Sequence, residues 1–188
     1  IAQCLVGSEM CIRDRFYTLI FFSLLTLSCS SSRKMTTSRV STAQLSQKLG
    51  FKVTRKDDLK LYSEAVKWLG VPYKYGGNTK TGVDCSGLTC NIYRNAYNIK
   101  LERTVAGMYK KNCRKIGRAK LRPGDLVFFN TAKTHKSVSH VGIFLKNNIF
   151  IHSTTHSGVR LNTLDETYYK KKWINGCLLY TSPSPRDT

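Results

Sequence analysis

The sequence predicts an α+β fold in which a helix packs on an antiparallel sheet, and two patterns support this. After Cys85, apolar residues recur at intervals of three and four, at Leu88, Ile92, Ala96 and Ile99. This spacing is typical of an amphipathic helix. Residues 139–145 and 149–153 each have the pattern of a strand, and the segment 146–148 between them favours a hairpin, because asparagine tolerates left-handed backbone. The 188 residues suit one domain with short extensions.

Cys85 is the candidate nucleophile of this chain. It follows the glycine-marked run 71–77 and stands where the helical pattern begins. Free N–H groups and the positive end of the helix dipole stabilise a thiolate at such a position, and the thiolate is the attacking form of cysteine. A buried, unreactive cysteine is the alternative. The polar neighbours Asp84 and Ser86 favour the functional interpretation.

Two histidines are candidates for the base and its orienting group. If the loop 146–148 closes the strand pair at Leu145 and Ile149, Gly142 faces His152. His140 then lies on the same face of the hairpin, diagonal to His152 and within reach of it. Cys85, His140 and His152 would form a nucleophile, a base and an orienting group. A register slip of one residue would separate the two histidines.

Five short motifs, taken in order, resemble the NlpC-type cell-wall peptidases. This family comprises papain-like cysteine endopeptidases that cut the peptide stems of bacterial peptidoglycan. The resemblance covers about residues 57–176, and its spacing is most similar to the lipoprotein murein endopeptidases of the Spr (MepS) type. The motifs are Pro-Tyr-Lys-Tyr-Gly-Gly (72–77), Asp-Cys-Ser-Gly (84–87), Leu-Arg-Pro-Gly-Asp-Leu-Val-Phe-Phe (121–129), His-Val-Gly-Ile (140–143) and Phe-Ile-His-Ser (150–153).

The resemblance implies a papain-like form of the α+β fold, with the nucleophile helix packed on a central antiparallel sheet. It implies Cys85 as nucleophile, His140 as base and His152 as the polar third member. Tyr73 would lend its hydroxyl to an oxyanion hole, together with the Cys85 backbone N–H. Asp84 and Ser86 lie where some relatives bind a free N-terminal amine. No metal or other cofactor is expected.

The function implied is hydrolysis of stem-peptide or cross-link amide bonds through a thioacyl-enzyme. Family members cut either the D-glutamate to diamino-acid bond or the D-alanine to diamino-acid bond, and the lipoprotein-like spacing favours the second. Two alternatives stay open: an acyltransferase or amidase on the same site, and a catalytically idle, tethered wall-binding module. A zinc site built from Cys85, His140, His152 and His156 is a weaker rival, since only His152 and His156 have ligand-like spacing.

The rest of the chain is interpreted as extensions around this domain. Residues 16–29 are typical of a lipoprotein signal peptide, with Cys29 as the lipidated residue. The polar segment 30–56 is predicted to be a flexible tether. Residues 1–15 and 177–188 resemble translated adaptor sequence and are set aside, which leaves 57–176 as the peptidase domain.

The charge and the predicted export indicate the surroundings. The formal net charge of +20 lies wholly within residues 30–176. It favours anionic neighbours such as lipid head groups or the carboxylates of peptidoglycan stems, whereas export argues against nucleic acid. We expect a monomer in the cell envelope, anchored by lipid to the outer membrane and facing the periplasm.

Further local predictions concern elements around the site. A helix is predicted for 57–70, a second helix capped by Thr104 and running to Lys111, and a turn at 123–125 into a strand at 126–129. Strands are also predicted at 159–161 and from Trp173. Arg103 is expected to anchor its loop, and Cys90 and Cys113 are expected to be free thiols.

Overall fold

A six-stranded antiparallel sheet forms the centre of the molecule, in the order β3-β8-β4-β5-β6-β7. The computed structural model describes residues 40–132 and 138–179. The helices are α1 (Thr42–Leu49), α2 (Leu59–Val66), α3 (Cys85–Tyr97), α4 (Val105–Lys111) and α5 (Thr167–Lys172). The strands are β1 (Asn78–Thr79), β2 (Gly82–Val83), β3 (Cys113–Ile116), β4 (Leu126–Phe129), β5 (His140–Lys146), β6 (Ile149–Thr154), β7 (Gly158–Thr163) and β8 (Trp173–Leu179), with a 3-10 turn at Arg118–Lys120. The predicted α+β class is confirmed.

Helix α1 corrects the prediction of a flexible tether across 30–56. Ser41 and Gln44 form a capping box at its start, and Gly50 ends it with a φ of 74°. Leu45 and Leu49 are buried, and α1 packs against α2. Phe51 and Val53, which follow α1, are buried in the same core, so four apolar side chains dock this polar segment. Residues 30–39, the predicted signal peptide (16–29) and Cys29 lie outside the described residues.

Helix α2 lies within the predicted segment 57–70 but is shorter. Asp58 caps it by accepting a hydrogen bond from the Leu61 N–H at 2.9 Å. Its buried face ties it to the sheet, where the Tyr62 hydroxyl donates to the Leu145 carbonyl at 3.0 Å. In the described part of the chain, no helix combines the length and apolar character needed to cross a membrane.

Helix α3 packs across β5 and β6 and carries the candidate nucleophile at its first position. Leu88 and Ile92 are buried on its inner face, as their spacing predicts. The helix ends at Asn98, which adopts a left-handed conformation with φ 58°. On the other face of the sheet, α5 covers a second apolar cluster that includes Phe129 and Phe150. The sheet is therefore buried on both faces, with α3 on one side.

The β5–β6 hairpin differs from the prediction at its turn and agrees with it at the histidines. Asn147 and Asn148 have φ values of 52° and 62°, so the turn has two residues and Lys146 pairs with Ile149. A bulge at Leu145 takes up the extra residue. Beyond the bulge, residue 143 pairs with residue 151, which is the predicted register. Gly142 consequently lies beside His152.

Strand β8 extends past the predicted domain boundary at 176. Cys177 is buried in it, and the strand pairs with β3 up to Leu179 and with β4 up to Cys177. The strand therefore includes residues 177–179 of the segment that resembles adaptor sequence, whose origin stays a prediction, while 180–188 lie outside the described residues. Cys113 on β3 is bonded to Cys177, with their Cα atoms 5.2 Å apart. The expectation of a free Cys113 is wrong; Cys90 is a free, buried thiol.

Candidate active site

A cavity of about 610 Å³ opens above the N-terminus of α3. Cys85, His140, His152 and Tyr73 all line it. The fold thus brings together the predicted nucleophile, base, orienting group and oxyanion donor from three separate parts of the chain. The wall continues through residues that follow β4 and precede β5, and through β7, α5 and the loops beside them: Thr131, Ser139, His156, Arg160, Asn162, Glu166 and Tyr168.

Cys85 is held at the start of α3 by its N-terminal neighbour. Asp84 is the N-cap residue, and its carboxylate accepts the Gly87 N–H at 2.6 Å. Burial raises the pKa of the Cys85 thiol, and backbone N–H groups, chiefly that of Val141, offset part of this by hydrogen bonding to the sulfur. The resting group is therefore the thiol, and it needs a base. The expected stabilisation by the helix terminus does not outweigh burial here.

His140 and His152 form a direct hydrogen bond. The Nε2 atom of His140 lies 2.7 Å from Nδ1 of His152, and the two rings meet nearly edge to face at 78°. Burial lowers the pKa of both histidines, and each ring is neutral at neutral pH. Because Nε2 of His140 is engaged, its Nδ1 is the nitrogen available to take a proton from Cys85.

The hydrogen bonding continues beyond His152 into β7 and the start of α5. Nε2 of His152 lies 2.8 Å from Oδ1 of Asn162, and the amide nitrogen of Asn162 donates to both carboxylate oxygens of Glu166 at 2.9 Å. The Tyr169 hydroxyl lies 3.3 Å from the same His152 nitrogen. These partners surround His152, which has no exposed surface.

Tyr73 stands on the glycine-marked loop, where it forms an isolated bridge with Val83 just before the nucleophile. Burial, followed by the proximity of Cys85, raises the pKa of its phenol. The hydroxyl is therefore protonated at neutral pH and can donate a hydrogen bond. This is the state that an oxyanion donor requires.

Asp84 and Ser86 are placed differently from their predicted role in binding a substrate amine. Neither lines the cavity, and both are buried. Arg103 donates to both carboxylate oxygens of Asp84, at 3.0 and 2.9 Å, and to the Ser86 hydroxyl at 2.7 Å. The Ser86 hydroxyl and the Gly76 and Gly87 N–H groups also donate to Asp84. Through these contacts Arg103 ties the glycine-marked loop to the start of α3, while binding of a substrate amine by Asp84 and Ser86 stays a prediction.

The electrostatics of Asp84 agree with a supporting role. Burial alone would raise the pKa of this carboxyl, but the hydrogen bonds from Arg103 and Gly87 lower it overall. The ion pair with Arg103, at 2.9 Å, neutralises the negative charge of Asp84 next to Cys85. Within residues 40–132 and 138–179, no group of three or more His, Cys, Asp or Glu side chains is arranged to hold a metal ion.

A sequence model of the NlpC/P60 family matches residues 70–177, more than half of the chain. The chain belongs to the NlpC/P60 family. The resemblance carried by the five motifs is therefore confirmed. The matched range holds Tyr73, Cys85, His140 and His152, so this candidate site lies wholly inside the family domain.

Two relatives of this NlpC/P60 chain are named as endopeptidases, and one of the two is named for murein. The murein DD-endopeptidase MepS/murein LD-carboxypeptidase of Escherichia coli strain K12 is 36% identical over 138 residues, which cover 72% of this chain and 71% of the relative. The NlpC protein of the same strain, named a probable endopeptidase, is 39% identical over 113 residues, or 60% of this chain and 72% of the relative.

The fold of this NlpC/P60 domain is shared with solved structures. An NlpC/P60 family protein from Bacillus cereus ATCC 10987 superposes with a TM-score of 0.58 at 25% identity, covering 67% of this chain. The match spans 41% of the Bacillus chain, less than half of its length. The papain-like form of the α+β fold is thereby confirmed.

Two residues of this NlpC/P60 site, Asn162 and Glu166, could not be recognised as partners of the histidines from the sequence. Asn162 was not singled out, because its contact with His152 depends on the register between β6 and β7. That register pairs His152 with Arg160 and Phe150 with Asn162, which makes His152 and Asn162 diagonal neighbours. The sequence marks Glu166 only through the local pattern Thr163-Leu-Asp-Glu166, which is typical of a helix-capping box. Its carboxylate does accept the Thr163 N–H at 2.9 Å, but it also holds Asn162.

Proposed function

We propose that this chain is a peptidoglycan endopeptidase that hydrolyses stem-peptide or cross-link amide bonds through a thioacyl-enzyme. The observation that carries the proposal is the His140–His152 hydrogen bond in the cavity that Cys85 lines. Membership of the NlpC/P60 family and the murein endopeptidase relatives support peptidoglycan as the substrate. The name DD-endopeptidase of the MepS relative supports the D-alanine to diamino-acid bond of a cross-link.

The first half-reaction forms the thioacyl-enzyme. Nδ1 of His140 takes the proton of the Cys85 thiol, and the thiolate attacks the carbonyl carbon of the scissile amide. The Cys85 N–H and the Tyr73 hydroxyl hold the resulting oxyanion. His140 then gives its proton to the leaving amine, and the C–N bond breaks.

The second half-reaction restores the enzyme. His140 takes a proton from a water molecule, which attacks the thioester carbonyl, and the sulfur leaves as the carboxylic acid product forms. The proton returns to Cys85. Throughout, His152 holds the ring of His140 in one orientation. Neutral resting groups make this a general-base mechanism that does not begin from an ion pair.

The location of the enzyme belongs to the same proposal. The murein endopeptidase relatives support a place in the cell envelope. The pattern of residues 16–29 supports a lipid anchor at Cys29, with the domain facing the periplasm from the outer membrane. The net charge of +20 supports contact with anionic lipid and with stem-peptide carboxylates.

The test is digestion of purified peptidoglycan by the full chain, with products identified by mass spectrometry. The wild type should release fragments whose masses identify the bond, and Cys85→Ala should release none above background. Cys90→Ala is the matched control, because Cys90 is the other free thiol of α3 and lies outside this cavity. It should digest like the wild type.

Other outcomes would contradict the endopeptidase proposal in distinct ways. If neither wild type nor Cys85→Ala cuts but both bind the sacculus, the domain is a wall-binding module. If the thioacyl-enzyme forms but products carry an added amine in place of water, the enzyme is an acyltransferase. The same mass spectra distinguish these results.

A further inference from the structure

The hydrogen-bonded chain behind His152 has a direction, and that direction decides whether His140 can act as a base. Either nitrogen of a neutral imidazole can carry the proton, so a 2.7 Å contact between two rings fits two arrangements. In one, His140 donates from Nε2 and keeps a lone pair on Nδ1. In the other, Nδ1 of His140 carries the proton, and the ring has no lone pair to offer Cys85.

Glu166 removes this ambiguity, because a carboxylate only accepts hydrogen bonds. Both of its oxygens lie 2.9 Å from the same amide nitrogen of Asn162, so Asn162 presents its NH2 group to Glu166. The amide oxygen of Asn162 must then face Nε2 of His152, at 2.8 Å.

The proton positions on His152 and His140 then follow, one hydrogen bond at a time. Facing an acceptor, Nε2 of His152 carries the proton, and Nδ1 of His152 is left as an acceptor. Nε2 of His140 therefore donates to it, and the lone pair of His140 lies on Nδ1. Tyr169 also touches Nε2 of His152, at 3.3 Å, but a hydroxyl can donate or accept and so imposes no direction.

We propose that Glu166 and Asn162 are positioning residues that set the tautomers of His152 and His140, so that His140 presents a lone pair to Cys85. The role in catalysis rests on the proposed function, whereas the tautomers themselves do not. This series of hydrogen bonds also ends at the carboxylate of Glu166, which carries a negative charge. That charge favours the cation formed when His140 takes the thiol proton.

The direct test is nitrogen-15 NMR of the full chain labelled in histidine, which distinguishes the two tautomers of a neutral ring. In the wild type, His140 and His152 should both carry the proton on Nε2. In Glu166→Gln, the new amide can offer either NH2 or C=O to Asn162, so the Asn162 amide can turn over. A measurable share of His140 should then carry its proton on Nδ1.

A double variant separates direction from packing. In Asn162→Asp/Glu166→Gln, the new carboxylate at 162 accepts from His152, and the glutamine NH2 donates to it. The direction is restored with side chains of nearly unchanged size. The wild-type tautomers should return, and peptidoglycan cleavage, which we expect to fall about tenfold in Glu166→Gln, should recover to within about threefold.

Asp165→Asn is the matched control, because it removes the same charge one residue away. Asp165 binds Arg118 and Asn148 at the surface, whereas the Asn162 amide donates to Glu166 and not to Asp165. It should leave both tautomers unchanged. Unaltered tautomers in Glu166→Gln, or no recovery in the double variant, would overturn the proposal. If the tautomers change as expected but the wild type does not cut peptidoglycan, the proposed function fails while the positioning role stands.

Discussion

Single residues carry the chemistry proposed for this site. Burial raises the pKa of Cys85 and lowers that of His140, so the proposed attack requires a proton transfer from the thiol to the imidazole. The oxyanion is then the main charge that forms near the substrate. A neutral phenol such as Tyr73 stabilises this charge by donating a hydrogen bond.

Tyr73→Phe tests this role at the residue scale. Loss of the hydroxyl removes one oxyanion donor, so kcat for peptidoglycan should fall about 10²-fold, with little change in KM or in melting temperature. Tyr75→Phe is the matched control, because Tyr75 is 90% exposed on the same loop and does not line the cavity. An unchanged kcat in Tyr73→Phe would assign the oxyanion to other donors.

The residues proposed to carry the chemistry could be singled out from the sequence, whereas Asn162 and Glu166, which are proposed to orient them, could not. Cys85 and His140 are marked by their motifs, because a nucleophile and its base need particular neighbours. Asn162 is one polar residue on an alternating strand, and only the register with β6 brings it to His152. Glu166 has a plausible local bond to Thr163, which concealed its second partner.

At the scale of elements, the β5–β6 hairpin sets the geometry of the two histidines. Counting residues predicted a three-residue loop, whereas the structure has a two-residue turn and a bulge at Leu145. The two differences cancel beyond the bulge, so the predicted pairing at the histidines is right. Helix α1 was missed for another reason: its leucines gain stability only from packing, which local composition does not record.

Gly142→Ala tests how tightly the hairpin is packed. A Cβ at this position would lie 2.9 Å from the Ile151 carbonyl oxygen and 3.3 Å from Cβ of His152. The strands would have to shift, which should destabilise the protein by about 1–3 kcal/mol and weaken the His140–His152 bond.

Denaturant unfolding measures the stability, and cleavage of peptidoglycan measures the effect on the site. Gly117→Ala is the control, since Gly117 has a φ of −74° and a Cβ there would meet no atom within 4 Å. A variant Gly142→Ala with wild-type stability and activity would show that the strands separate easily.

At the scale of the whole molecule, the fully buried His152 and the half-buried His140 link stability to pH. Their pKa values are lowered in the folded chain, so the unfolded chain binds protons more readily below the ordinary histidine value of 6.5. Their contribution is complete above that value and is lost as the pH falls. Asp84 and Glu64, whose pKa values are also lowered, act in the same direction only at the more acidic pH where carboxylates titrate.

The free energy of unfolding should therefore fall between pH 6 and pH 5, with His152 contributing about 1 kcal/mol per pH unit. Denaturant unfolding at a series of pH values measures this slope. His152→Asn should reduce the slope, and His156→Gln should not, because His156 is exposed. An equal slope in His152→Asn and the wild type would show that His152 is already charged in the folded protein.

If Cys29 carries the proposed lipid, the docking of α1 shortens the chain available between that anchor and the domain. With a tether of 30–56, an extended chain would reach about 90 Å from Cys29, at about 3.3–3.6 Å per residue. Because α1 packs on the domain from Thr42 onward, at most residues 30–41 could span that gap, and their greatest reach is about 40 Å. A connection of this length would confine the enzyme to the layer of wall nearest its membrane.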